Sequence, residues 1–120
     1  MQLRFSPPAA LCTILLALAS PSAAQDDYRP LQGQFRIGSK TVLDAPPGEK
    51  RDRVYLHLTD KTAREIYDAT PGQGRPDACA PDLRSKQAGD LRCVLDRSGQ
   101  AQCAVAIKLS DGKTALGSVC

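Results

Sequence analysis

The chain has 120 residues, with 16 Lys plus Arg against 13 Asp plus Glu and a formal net charge of +3. A balance this close to neutral argues against a surface built for nucleic acid or for an anionic membrane. With two Phe, three Tyr and no Trp, the apolar content is mostly Ala, Leu, Val and Ile, so any core is thin.

The first 24 residues read as an export segment rather than as part of the fold. Arg4 supplies a short positive start. The apolar run from Ala9 to Ala19 is 11 residues long, short of the roughly 18 that span a bilayer. Pro21 breaks any helix, and Ser22 and Ala24 supply the small residues of a cleavage site, which predicts a mature N-terminus at Gln25. Cys12 lies inside the apolar run behind Leu11, whereas a lipid-carrying cysteine should end the run behind a small residue. No second apolar stretch follows. The mature chain, residues 25–120, is therefore expected to be exported, periplasmic or secreted, without membrane insertion, and to form one domain.

Within that domain, Gln34-Phe35-Arg36-Ile37 alternates and predicts a first strand with Phe35 and Ile37 on one face. A turn at Gly38-Ser39-Lys40 leads to a candidate short strand, Thr41-Val42-Leu43, and then to a loop over residues 44–51. Arg53 to Thr59 is a stronger strand, with Val54, Leu56 and Leu58 on one face and Tyr55, His57 and Thr59 on the other. A helix is expected over residues 61–69, with Ala63, Ile66 and Tyr67 on one face. Thr59, Asp60 or the capping box Thr62-Ala63-Arg64-Glu65 would start it, and Pro71-Gly72 would stop it. Residues 70–89, rich in Pro and Gly, read as a long loop. Strands follow at 90–96, 101–109 and 115–120, joined by turns at Arg97-Ser98-Gly99 and Asp111-Gly112.

The mature chain holds four cysteines, Cys79, Cys93, Cys103 and Cys120, which in an exported domain predict two disulfides. Their wide spacing does not suit a zinc site. A two-residue turn at Asp111-Gly112 would pair Ser110 with Lys113 and, counting back, Cys103 with Cys120. A three-residue loop at Arg97-Ser98-Gly99 would instead put Cys93 opposite Cys103. The favoured connectivity is Cys79–Cys93 with Cys103–Cys120; the runner-up is Cys93–Cys103 with Cys79–Cys120.

Catalytic signatures are absent from the sequence. His57 is the sole histidine, no serine sits in a nucleophile elbow, and no phosphate-binding or calcium-binding loop occurs. No enzyme activity, cofactor or metal is expected. Two clusters are candidates for partner contact: Lys50, Arg51 and Arg53 after a Pro-Gly loop, and Arg75, Arg84 and Lys86 within the long loop, which a disulfide would preorganise.

The expected fold is α+β: an antiparallel sheet of four to five strands with one short helix on a face, stapled by two disulfides. In outline — an export segment, a disulfide-stapled sheet and about a hundred residues — the chain resembles the small periplasmic proteins of bacteria that include lysozyme inhibitors and immunity proteins. That resemblance implies a small binding protein, an inhibitor or immunity-type factor with a protein partner in the cell envelope. The alternatives are a small secreted hydrolase, which would need His57 beside a carboxylate in a pocket, and a structural or accessory envelope protein.

Overall fold

The computed structural model describes residues 2–6, 8–9 and 27–119. The expected apolar run beyond Ala9, the cleavage site and Cys120 lie outside them. Seven strands and one helix follow in the order β1 (Gly33–Gly38), β2 (Arg53–Thr59), α1 (Asp60–Ala69), β3 (Arg75–Pro76), β4 (Arg84–Ala88), β5 (Leu91–Leu95), β6 (Ala101–Lys108) and β7 (Thr114–Ala115). All pair antiparallel in one sheet of order β1-β2-β6-β5-β4-β3, with β7 on β6 beyond the end of β5. The described residues thus form an antiparallel sheet with a single short helix, with more strands than the four to five expected.

The extra strands come from the stretch expected to be a loop. β4 reads Arg-Ser-Lys-Gln-Ala and has no apolar alternation to betray it; its ladder to β5, with Lys86 opposite Cys93, defines it. Thr41-Val42-Leu43, in contrast, forms no strand, and Val42 and Leu43 lie in a bend. β1 and β2 lie where alternation places them, with Phe35 opposite Leu56 and Ile37 opposite Val54.

α1 docks across one end of one face. Ala63 and Tyr67 cover Leu58, Cys93, Ala101 and Cys103, with Ile66, Leu91 and Leu95 packed around them. The helix start differs from expectation. Thr59 is the N-cap but makes no side-chain capping bond. Gln32 supplies the cap from outside: its Oε1 accepts from the Thr62 amide at 3.2 Å, and its own amide donates to Thr62 Oγ1 at 2.9 Å. This satisfies one of the donors that a helix start otherwise leaves orphaned. At the other end, Lys86 Nζ donates to the carbonyls of Tyr67 and Thr70 at 3.1 and 3.0 Å, and lies 4.5 Å from the centroid of the Tyr67 ring. A cation there complements the helix dipole.

The two hairpin turns decide the cysteine pairing. At Arg97-Ser98-Gly99, Gly99 adopts φ 88°, and the Asp96 amide donates to the Gln100 carbonyl at 2.9 Å. The resulting register sets Cys93 directly opposite Cys103, and the two form a disulfide with a Cα–Cα distance of 4.0 Å. This bond excludes both bonds of the favoured connectivity, Cys79–Cys93 and Cys103–Cys120. The physical cause lies in the other turn. The Lys108 amide donates to the Lys113 carbonyl at 2.8 Å, so four residues, 109–112, make the turn instead of two. Ala106 then faces Ala115, and the C-terminal segment slips two residues from the register that would have brought Cys120 to Cys103.

Candidate functional site

Strand alternation divides the sheet into a helix side and a far side, and each carries an unusual feature. On the helix side, the register aligns Phe35, Leu56 and Val105 in one rung and Ile37, Val54 and Ile107 in the next. These share a face with Leu58 and Cys103, yet none belongs to the core under α1. Phe35 is 69 % exposed and Ile37 38 %, while Leu56, Val54, Val105 and Ile107 are half-buried. The same register continues to Leu109, whose amide donates to the Asp52 carbonyl at 2.8 Å and whose side chain is exposed. The result is a two-rung apolar surface across three strands, with no element of the described residues on top of it.

The first basic cluster stands at the end of this surface. Arg51 donates to the Ile37 carbonyl through Nε at 3.1 Å and Nη2 at 2.5 Å, fixing its guanidinium at the rim of the second rung. Lys50 beside it is exposed. Arg53 is held in place by Asp52, Nε to Oδ1 at 2.9 Å. The hydrogen bond from Arg53 is the main cause that lowers the Asp52 carboxyl below its usual range, against a smaller opposing effect of desolvation.

The second cluster lies at the opposite edge of the sheet, and the two do not converge. Arg75 and Arg84 are exposed on β3 and β4. Alternation puts Arg75, opposite Ser85, on the far side and Arg84 on the helix side. Lys86 is engaged with the helix end and the Tyr67 ring rather than presented to solvent.

On the far side, Gln34, His57 and Ala104 form one rung, and Arg36, Tyr55 and Ala106 the next. Between these side chains and the C-terminal segment lies an open groove of about 410 Å³, walled by Val42 and Leu43 on one side and Gly117 to Val119 on the other. Gly117 lets that segment lie on β6: a Cβ there would stand 2.5 Å from the Val105 nitrogen. Arg36 is rigidly placed, its guanidinium 4.3 Å over the Tyr55 ring and its Nη2 donating to the Val42 carbonyl at 3.0 Å. Tyr55 is itself fixed by donating to the Ser39 carbonyl at 2.5 Å.

Gln34 and His57 have no side-chain hydrogen-bond partner among the described residues. No side-chain carboxylate is among the described residues that line the groove. The constellation that would have favoured a hydrolase, His57 with a carboxylate in a pocket, is thus not formed by them. Among the described residues no cluster of three His, Cys, Asp or Glu could hold a metal ion, and no helix is long and apolar enough to cross a membrane.

The groove wall is tied down by Arg92. Its Nη1 donates to Ser118 Oγ at 3.3 Å, and its Nη2 reaches Asp77 Oδ1 and, at 3.5 Å, Cys79 Sγ. Asp77 is buried, and burial alone would raise its pKa. The Arg92 guanidinium and the amides of Cys79 and Ala80 outweigh that and hold it below the usual carboxylate range.

Sequence reasoning missed Gln34, Arg36 and Tyr55 as a group. Their alternation with Phe35 and Ile37 was visible, but what joins them is the β1–β2 register. Compared with protein-family models, curated proteins and solved structures, the chain matches none.

Proposed function

We propose that the protein is an exported, non-catalytic binding protein of the cell envelope, an inhibitor or immunity-type factor that docks an envelope-acting enzyme. The observation that carries this reading is the uncovered apolar surface of Phe35, Ile37, Leu56, Val54, Val105 and Ile107. Contiguous apolar area rimmed by charge marks interaction surfaces on small proteins. Lys50 and Arg51 at its end suit a partner that presents an apolar patch beside acidic side chains, with the charges acting mainly on encounter rate and orientation.

Export by the N-terminal segment with cleavage before Gln25 is part of the same proposal. So is a second disulfide, Cys79–Cys120. It is supported by Arg92, whose one guanidinium touches both Cys79 and Ser118, two residues before Cys120. Such a bond would close the C-terminal segment onto the β3–β4 connection.

The test is affinity isolation of the tagged protein from envelope fractions, native against Phe35→Asp. The native protein should retain a defined partner in stoichiometric yield, and Phe35→Asp, equally folded by circular dichroism, should lose it. Equal retention by both would remove this surface from the account.

A further inference from the structure

We propose that the groove on the far side is a binding site for a carboxylate carried on a small apolar group. The Arg36, Tyr55 and His57 side chains that define it face away from the proposed partner surface, although Phe35 and Leu56 of that surface also border the groove. The argument begins with charge. Among the described lining residues Arg36 is the one formal cation and no side chain is anionic. A single fixed guanidinium matches a monoanion better than a phosphate, whose greater charge usually recruits several cations.

Geometry narrows the class further. Arg36 uses one N–H on Val42 and rests on the Tyr55 ring, which leaves the rest of its planar fork for a ligand. Because ring and carbonyl already hold it, little side-chain entropy remains to be lost on binding. On the adjacent rung Gln34 and His57 face each other directly across β1 and β2. Both carry N–H donors, and neither has a side-chain hydrogen-bond partner among the described residues. A carboxylate lying between the rungs can take the Arg36 fork on one oxygen pair and Gln34 or His57 on the flank.

Apart from Ser118, Gly117 and the Tyr55 ring under Arg36, the remaining lining is apolar. Ala104 is the floor, and Val42, Leu43 and Val119 are the walls. Small side chains below and branched ones beside leave room for an alkyl group next to the carboxylate. The volume of about 410 Å³ lies at the low end for ligand pockets and suits a fragment of one or two residues' size. Two sources offer this chemistry, the C-terminal end of a peptide and a free small carboxylic acid.

The test is an NMR titration of the isotope-labelled, oxidised protein with four probes. These are N-acetyl-alanyl-leucine as the free acid, its C-terminal amide, 3-methylbutanoate and inorganic phosphate. The expected result is saturable shifts at the Gln34, Arg36 and His57 side chains with at least one acid, and about tenfold weaker binding of the amide. Tighter binding of the dipeptide acid assigns a chain end, and tighter binding of 3-methylbutanoate assigns a free acid. Arg36→Gln should lower affinity about tenfold. Because Arg36 also holds Val42, Gln34→Glu gives a second reading: it leaves the Arg36–Tyr55 stack intact, adds a negative charge to the groove and should weaken binding as much. No response to either acid, equal response to acid and amide, tighter binding of phosphate, or full affinity in Gln34→Glu would each overturn the proposal.

Discussion

One face of this sheet is built twice over, with two outcomes. At one end Leu58, Cys103 and Cys93 sit under α1 and are almost fully buried. Two residues along β2 and β6, with the same side-chain parity, Leu56 and Val105 lie beyond the helix, with Phe35 beside them on β1. The residue types do not explain the difference; if anything, the uncovered rungs are the more apolar. What differs is the reach of the helix. Ten residues extend about 15 Å, enough to cross three or four strands at one end but not to run the length of β2 and β6. Apolar alternation therefore marks which side faces inward, while coverage is decided by the lengths of the other elements. Where coverage stops, the apolar face is available for a partner.

The largest effect should separate the two ends most clearly. Tyr67→Ala removes the main side chain with which α1 covers the sheet, together with the ring under Lys86. A loss of about 3–5 kcal/mol in urea unfolding is expected. A loss below 1 kcal/mol would mean that α1 is not what stabilises its end.

Breaking the Cys93–Cys103 bond comes next. The double change to Ala opens a loop of ten-residue separation and should cost about 3 kcal/mol by restoring freedom to the unfolded chain. Peptide mapping of the oxidised protein should find these two cysteines in one fragment pair; a Cys103–Cys120 fragment would contradict the register of the β6–β7 turn.

Asp77 gives a smaller and pH-dependent effect. Its folded-state pKa is lowered, so its contribution is present above the unfolded value of about 4 and is lost as pH falls through the folded value. Asp77→Asn should cost about 1–3 kcal/mol at neutral pH and flatten the acid limb of the stability profile. An unchanged acid limb would show that the Arg92–Asp77 pair does not anchor the C-terminal segment.

The smallest effect belongs to the uncovered end. Phe35→Ser should change stability by no more than about 0.5 kcal/mol, as for an ordinary surface site. A large loss would show that Phe35 is part of a core after all.

Part of this fold was legible in the sequence. β1, β2, α1, β5 and β6 announced themselves through alternation or helical spacing. The Gly99 turn pointed to Cys93 opposite Cys103, but the Asp111-Gly112 signal outweighed it and led to the wrong favoured pairing. Three features were hidden. β4 is polar on both sides, so only its backbone ladder marks it. The turn at 109–112 uses two residues more than Asp111-Gly112 suggests, because Lys108 pairs with Lys113. The cap of α1 comes from Gln32, 30 residues away from Thr62, which no local pattern could reveal. The candidate sites divide the same way. Lys50 and Arg51 were visible as a cluster, but their value depends on Phe35 and Ile37 lying beside them. The far-side groove needs three strands in register before its residues meet.

The central claim is that the uncovered rungs, not the β3–β4 edge, contact a protein partner in the envelope. Site-specific photo-cross-linking in living cells tests it most directly, with benzoylphenylalanine at position 35 compared with position 75. The account predicts one discrete heterologous adduct from position 35, lost when Lys50 and Arg51 are both changed to Glu, and none from position 75. An adduct from position 75 alone, an adduct at position 35 with the mass of two copies of this chain, or no adduct from position 35 would contradict it.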